Sequence, residues 1–300
     1  MAKYNAPDPR NDDTLIWVNG LVKRENAGVS PLDSVVQGGD AVWEGLRVRD
    51  GHVIQFDEHA HRMVDSAKAL AFREIPDIES IWSAVVETLA ANEMRDGVHI
   101  RLTLTRGRKS TSGMDPRLNV YGPTLIVLPE YKGRVYGDDG LTLITASTRR
   151  NAPTFLDSKI HHNNLLNNIL AKIEANVANA DDAVMLDERG FLAETNATNL
   201  FLVRNGRLKT PRATACLPGL TRKYVMESAA SLGIPVDELD LSLTELYAAD
   251  EAFTTGTMGD LAHVESVDGR RLPPGPGPMT RQLKSHYAAN ILETARALNF

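Results

Sequence analysis

Asn151-Ala-Pro-Thr-Phe-Leu-Asp-Ser-Lys159-Ile-His-His-Asn-Asn164 runs straight into Leu165-Leu-Asn-Asn-Ile-Leu-Ala-Lys-Ile173, an irregular polar loop followed by an apolar repeat. Leu165, Leu166, Ile169, Leu170, Ile173 and Val177 recur at helical spacing. They predict a helix over about residues 164–178 whose apolar stripe anchors the segment to a core. Lys159 then stands just ahead of that helix, between a proline-containing loop and the stripe. Side chains suited to hydrogen bonding surround it, and its amine is expected to be held partly dry.

Downstream, the pattern turns to strands around Ala183–Leu186, Phe191–Val203 and Arg207–Thr210, with an Asn205-Gly206 turn. Glu194 rides on the second, in Ala193-Glu-Thr-Asn-Ala-Thr-Asn-Leu-Phe201. Asp187 and Glu188 are nearby carboxylates, but they flank Gly190 in an apparent turn. Leu217-Pro-Gly-Leu-Thr-Arg222 enters a helix that Thr221 can cap and Gly233 ends. The backbone N–H groups of Leu220 and Thr221 then face the positive helix end, which favours a phosphate. Ser242 with Glu245 spells a capping box. Glu251–Thr257 reads as a strand ending in Thr255-Gly-Thr257, a second small turn able to cradle oxygens. A closing helix is expected over about Met279–Leu298.

Upstream, Thr14–Val18, Ala41–Arg49 and Val53–Phe56 read as strands around Asn19-Gly20 and Asp50-Gly51 turns. Asp57 can cap a helix over Glu58–Leu70, which carries Arg62 with its bidentate fork. A second helix spans Pro76–Met94, and strands follow at Val98–Thr105 and Thr124–Leu128. The expected organisation is a small α/β domain over residues 1–128, a glycine- and charge-rich linker over 129–140, and a larger domain over 141–300.

The chain has 300 residues, 42% hydrophobic and 24% charged, with a net charge of -6. With a pI near 5.8 there is no global basic field, which argues against a nucleic-acid partner. Apolar stretches fall short of the roughly 20 residues needed to span a bilayer, and Met-Ala-Lys-Tyr-Asn-Ala-Pro-Asp-Pro-Arg holds no apolar signal core, so a cytoplasmic protein without membrane attachment is expected. Cys216 is the only cysteine, which excludes an intrachain disulfide and reads as a small buried residue. His59-Ala-His61 with His161-His162 suggests a zinc site only weakly, because His59 and His61 point to different helical faces. No dinucleotide fingerprint, Walker loop or Gly-x-Ser-x-Gly elbow occurs.

A lysine, a carboxylate and anion-binding turns together suit pyridoxal phosphate. That cofactor needs an amine for its aldehyde, an acid facing its ring nitrogen and donors for its phosphate.

In the order Trp43-Glu-Gly-Leu-Arg47, Glu58-His-Ala-His-Arg62, Ser158-Lys159, Glu194-Thr-Asn-Ala-Thr-Asn-Leu-Phe201, Leu217-Pro-Gly-Leu-Thr-Arg222 and Thr254-Thr-Gly-Thr257, the chain resembles the fold-type IV pyridoxal-phosphate enzymes along nearly its whole length. That group holds branched-chain aminotransferases, D-amino-acid aminotransferases and aminodeoxychorismate lyases. The resemblance implies an α+β fold, with a small α/β domain and a larger one with a β-barrel-like core, in a homodimer with the active site near the interface. It implies Lys159 as the Schiff-base lysine, Glu194 as the partner of the pyridine nitrogen, and Arg62, Leu220, Thr221 and Thr257 as phosphate ligands. Asn164 stands where branched-chain enzymes place a tyrosine near the cofactor's phenolic oxygen, a feature closer to the D-amino-acid enzymes.

His99-Ile-Arg101 and Ser112-Gly-Met-Asp115 resemble the Tyr-x-Arg and glycine-methionine loops of branched-chain enzymes. Trp43, Arg47, His99, Arg101, Gly113 and Met114 are therefore the expected substrate residues, although Gly38 and His99 each replace a tyrosine. The implied reaction moves an amino group from an L-branched-chain amino acid to a keto acid such as 2-oxoglutarate. D-amino-acid or (R)-amine transamination and aminodeoxychorismate cleavage are the alternatives that keep the cofactor. A non-catalytic scaffold of the same fold and a histidine-based metal hydrolase are the alternatives from other classes.

Overall fold

The structure, a computed structural model, describes residues 8–137 and 139–300. The segment read for a signal core lies largely outside them, as does residue 138 of the expected linker. Two compact units emerge: one takes the described residues up to Gly133 with Ile160–Asn164 and Leu292–Phe300, the other Arg134–Lys159 with Leu165–Ile291. The chain leaves the second unit directly after Lys159 and returns at Leu165.

The N-terminal unit is built on β1 (Leu15–Val18), β2 (Leu21–Lys23), α1 (Ser34–Gly38), β3 (Ala41–Arg49), β4 (His52–Ile54), α2 (Phe56–Ala69), α3 (Ile78–Ala91), β5 (Val98–Thr105) and β6 (Thr124–Tyr131). β6 thus carries strand into the first residues of the expected linker. The strands form an antiparallel sheet completed at one edge by the strand Ala295–Ala297, which pairs with β4 through Ala295↔Ile54 and Ala297↔His52. Strict alternation buries Val42, Leu46 and Val48 of β3 and Val98, Ile100 and Leu102 of β5 against Phe56, Met63, Ile81, Val85 and Leu89 of α2 and α3. The other face of the same two strands holds Trp43, Arg47, His99 and Arg101.

Two expected helix limits are corrected by the structure. Asp57 is not the cap of α2: the N-cap is Gln55 in the left-handed region, φ 49, and Asp57 lies in the first turn, where its charge still favours the helix N-terminus. The closing helix ends at Asn290, and the residues beyond it form a 3-10 turn and the edge strand. An open sheet edge and a buried site for Leu298 outweigh the helix propensity of Glu-Thr-Ala-Arg-Ala.

The second unit contains β7 (Leu141–Thr145), α4 (Leu166–Val177), β8 (Asp182–Leu186), β9 (Leu192–Thr195), β10 (Asn199–Arg204), β11 (Arg207–Pro211), α5 (Leu220–Ser231), β12 (Val236–Leu239), α6 (Leu243–Tyr247), β13 (Glu251–Gly256), β14 (Asp260–Val267), β15 (Arg270–Arg271) and α7 (Pro278–Asn290). Its mixed sheet runs β12-β11-β10-β13-β14-β7-β8-β9, with β15 on β14. The sheet curls toward closure, since Leu192 N at the β9 end donates to Leu241 O just beyond β12, 2.7 Å. The single strand expected over Phe191–Val203 is broken because the Thr195 hydroxyl accepts the N–H groups of Ala197 and Thr198, turning the chain. The α6 capping box is present as read. Among the described residues no helix is long and apolar enough to cross a membrane.

α4 reverses its expected orientation. It buries Ala171 and Ala175 against Ala146, Ala183 and Met185, while Leu166, Ile169, Leu170, Ile173 and Val177 are 65, 51, 50, 50 and 79% exposed. Both stripes have helical period, and the small one permits the closer approach to β8.

Candidate active site

Glu194 on β9 is buried and surrounded by donors from separate segments. Arg150 Nε stands 2.7 Å from its Oε1, an ion pair between two buried groups. Asn199 Nδ2 donates to its Oε2 at 3.0 Å and Leu217 N to its Oε1 at 3.4 Å. Burial raises the carboxyl above its usual range, and the Arg150 guanidinium opposes that rise. Arg150 is in turn held by Asn168 of α4, 3.0 Å. Asp187, a rival carboxylate, is occupied in its own turn by Arg189 and the N–H groups of Arg189 and Phe191.

Asn199 also donates to Leu217 O at 2.9 Å, which ties Glu194 to the Leu217–Thr221 turn. Gly219 is required there, because a Cβ would lie 2.1 Å from Asn199 Oδ1. Gly219, not Thr221, is the N-cap of α5, so Leu220 and Thr221 are its first two residues. Their N–H groups belong to the helix-end donors that have no intrahelical partner. Across the β10–β13 ladder Asn199 faces Thr255. The hydroxyls of Thr254 and Thr255 are buried without a hydrogen-bond partner, just before Gly256 and Thr257. One end of this unit therefore gathers a carboxylate, a helix N-terminus and the unsatisfied Thr255 hydroxyl, a donor set that fits an anion beside an acid.

In the N-terminal unit Arg62 on α2 reaches back to β3, where Glu44 accepts its Nε at 2.8 Å and its Nη2 at 2.6 Å. His59 Nδ1 stands 2.6 Å from the same carboxylate, and His161 Nδ1 3.1 Å from it. Burial would raise Glu44, but Arg62 holds its carboxyl well below the usual range. His61 instead turns outward to Asp57 O, so the two histidines diverge. Among the described residues no group of three or more His, Cys, Asp or Glu is arranged to hold a metal.

The segment after Lys159 is pinned to the edge of β3 by Trp43 N donating to His161 O at 2.9 Å and Asn163 N to Ala41 O at 2.8 Å. The Trp43 ring lies 4.1 Å from that of His161, and the Arg101 guanidinium sits 3.3 Å over Trp43. Arg101 is half-buried, pushed down to about 10 by burial, and its hydrogen-bond partner is the Asn163 amide oxygen at 3.4 Å rather than a carboxylate. Burial also pushes His99 down to about 4, leaving it neutral opposite Arg47 on the same sheet face. Asn164 packs near Gly39.

Lys159 is not held dry. Its side chain is 43% exposed and pairs with Asp157 at 3.0 Å. Gly113 and Met114 lie in an exposed loop, Met114 at 97%, with the Gly113 carbonyl accepting from Lys109. Cys216 is buried and pushed up to about 12, an inert thiol. Arg150, Asn199 and Glu44 are the residues that sequence reasoning gave no role. Asn199 and Glu44 lay inside quoted motifs, while Arg150 left no local signal, since a buried arginine looks like a surface one in sequence.

Residues 41–267 match the family described as amino-transferase class IV, and the chain belongs to that family. It is 56% identical over 94% of its length to the branched-chain-amino-acid aminotransferase-like protein 2 of Arabidopsis thaliana, covering 51% of that protein. It is 40% identical to a putative branched-chain-amino-acid aminotransferase of Methanocaldococcus jannaschii, over 91% of this chain and 94% of the relative. Among solved structures, the branched-chain aminotransferase of Thermoproteus uzoniensis with norvaline superposes at a TM-score of 0.88 and 30% identity, covering 96% and 100% of the two chains. The chain spans about half the length of the two Arabidopsis relatives it matches.

Proposed function

We propose that the chain is a pyridoxal-phosphate-dependent transaminase that moves the amino group of an L-branched-chain amino acid to a 2-keto acid such as 2-oxoglutarate. The observation that carries the reading is the buried Glu194, stitched by Asn199 to the Leu217–Thr221 helix entrance. When bound, the cofactor supplies an aldehyde that condenses with amines and a ring that accepts the electrons left as Cα loses its proton. Lys159 is the amine for that aldehyde and, once displaced by substrate, moves the Cα proton. Glu194 keeps a proton on the ring nitrogen. The N–H groups of Leu220 and Thr221, with Thr257 and Arg62, hold the phosphate, and Asn164 stands by the phenolic oxygen.

On the substrate side, the reading assigns Trp43, Arg47, His99 and Arg101, which share one face of β3 and β5. Arg101 hydrogen-bonds to the Asn163 amide rather than to a carboxylate, which suits a substrate carboxylate, and the Gly113–Met114 amides are assigned to the same task. Asn164 favours the second reading, a D-amino-acid or (R)-amine transaminase. A donor panel separates the two. L-leucine and L-glutamate are expected to bleach the yellow enzyme in a half-reaction, while D-alanine and an (R)-amine leave it unchanged. Bleaching by D-alanine without L-leucine overturns the L-branched-chain assignment.

The working unit of this reading is a homodimer, with amino and keto acids as its small-molecule partners. Five large apolar side chains, each at least half exposed on one helix face, exceed what a free surface usually carries. The charged residues of α4 do not break that stripe: Lys172 pairs with Asp182, and Glu174 accepts from Ser147 and Thr148. Ile169→Glu with Ile173→Glu is expected to convert the dimer to monomer in light scattering, and a variant that remains dimeric places the seam elsewhere. A cytoplasmic setting is part of the same reading, and a lone buried cysteine suits a reducing compartment.

A further inference from the structure

Glu44 lies inside the Trp43-Glu-Gly-Leu-Arg47 motif, but β3 turns it to the opposite face from Trp43 and Arg47. It is fully buried, and three elements converge on it: β3 itself, α2 through His59 and Arg62, and the segment 160–164 through His161. Burying a carboxylate is costly unless its oxygens are well paired. The geometry at Arg62 goes beyond neutralising charge. Nε binds Oε1 and Nη2 binds Oε2, so the guanidinium is gripped along one edge by both oxygens. A two-point grip fixes the plane of the fork, whereas a single contact would leave it free to swing. His59 fills a further lone pair of Oε2 from the preceding turn of α2, which holds the carboxylate itself in place.

We propose that Glu44 is a positioning residue for the anion anchor, setting the Arg62 guanidinium in the orientation that meets the cofactor's phosphate. The inference rests on Arg62 as a phosphate ligand, and the test separates the two claims. The stripped full-length enzyme is titrated with pyridoxal 5'-phosphate and with pyridoxal, which lacks the phosphate, and the affinity ratio is the readout. Arg62→Ala should lower the ratio, and an unchanged ratio overturns both the anchor and the role of Glu44. Glu44→Gln should lower the ratio by about tenfold while pyridoxal affinity stays within about twofold. In an Arg62→Ala background Glu44→Gln should cost no further phosphate preference. Equal weakening of both compounds, or a full additional loss without Arg62, overturns the role of Glu44 and leaves the anchor standing. If Glu44→Gln does not fold, Glu44→Asp carries the test: its shorter reach breaks the two-point grip and should lower the ratio, and an unchanged ratio overturns the proposal.

Discussion

Lys159→Ala is expected to lower the kcat of the loaded enzyme by about 10³- to 10⁴-fold, the scale of a lost positioned acid–base group together with its covalent role. The same change should leave the thermal midpoint almost untouched. Lys159 is well exposed and its one ion pair, with Asp157, is also exposed to solvent. Such pairs contribute about 0–1 kcal/mol. The separation is what makes the result diagnostic: a lysine that matters to the fold would move both quantities, and a surface lysine neither. Turnover by single-turnover kinetics and the midpoint by calorimetry check it, and a variant retaining most of its kcat contradicts the assignment.

Glu194→Ala is expected to damage both activity and stability, for reasons visible in its surroundings. Removing the carboxylate leaves the buried Arg150 guanidinium without its counter-charge, and breaking one half of a buried pair costs about 3–5 kcal/mol. Asn199 and Leu217 N lose an acceptor as well. Glu194→Gln keeps the shape and an acceptor oxygen, so its stability loss should be smaller, yet it cannot keep a proton on a ring nitrogen as a carboxylate does. For the Gln variant a kcat loss of about 10²-fold or more is expected, of the order seen when one preorganised electrostatic group is removed. Glu194→Gln with normal kcat would remove the carboxylate from the chemistry and leave it as a structural partner of Arg150.

Elements governed by local rules were the legible ones. β3 and β5 match their expected limits to the residue: β5 alternates apolar and polar side chains over all eight positions, and β3 is bounded by the Asp50-Gly51 turn. The Asn19-Gly20, Asp50-Gly51 and Asn205-Gly206 turns all adopt positive φ, as those pairs require. The family resemblance, resting on six motifs in order, is matched by the family model over residues 41–267.

What failed was decided by distant parts of the chain. In α4 the alanine stripe and the leucine-isoleucine stripe both fit a helix, and hydrophobicity alone cannot say which faces the chain's own sheet. The terminal Ala295–Ala297 became a strand only because β4 offered an open edge. Arg150 and Glu44 were illegible for a related reason. A buried ion pair joins residues far apart in sequence, and neither partner carries a mark of its burial.

The central claim is that Lys159 is the amine that bonds to pyridoxal phosphate. Borohydride reduction of the loaded enzyme, followed by digestion and mass spectrometry of the peptides, tests it most directly. A pyridoxyl adduct on the peptide containing Asp157-Ser-Lys159-Ile is the predicted result. An adduct on another lysine, or no adduct on any, would contradict the account.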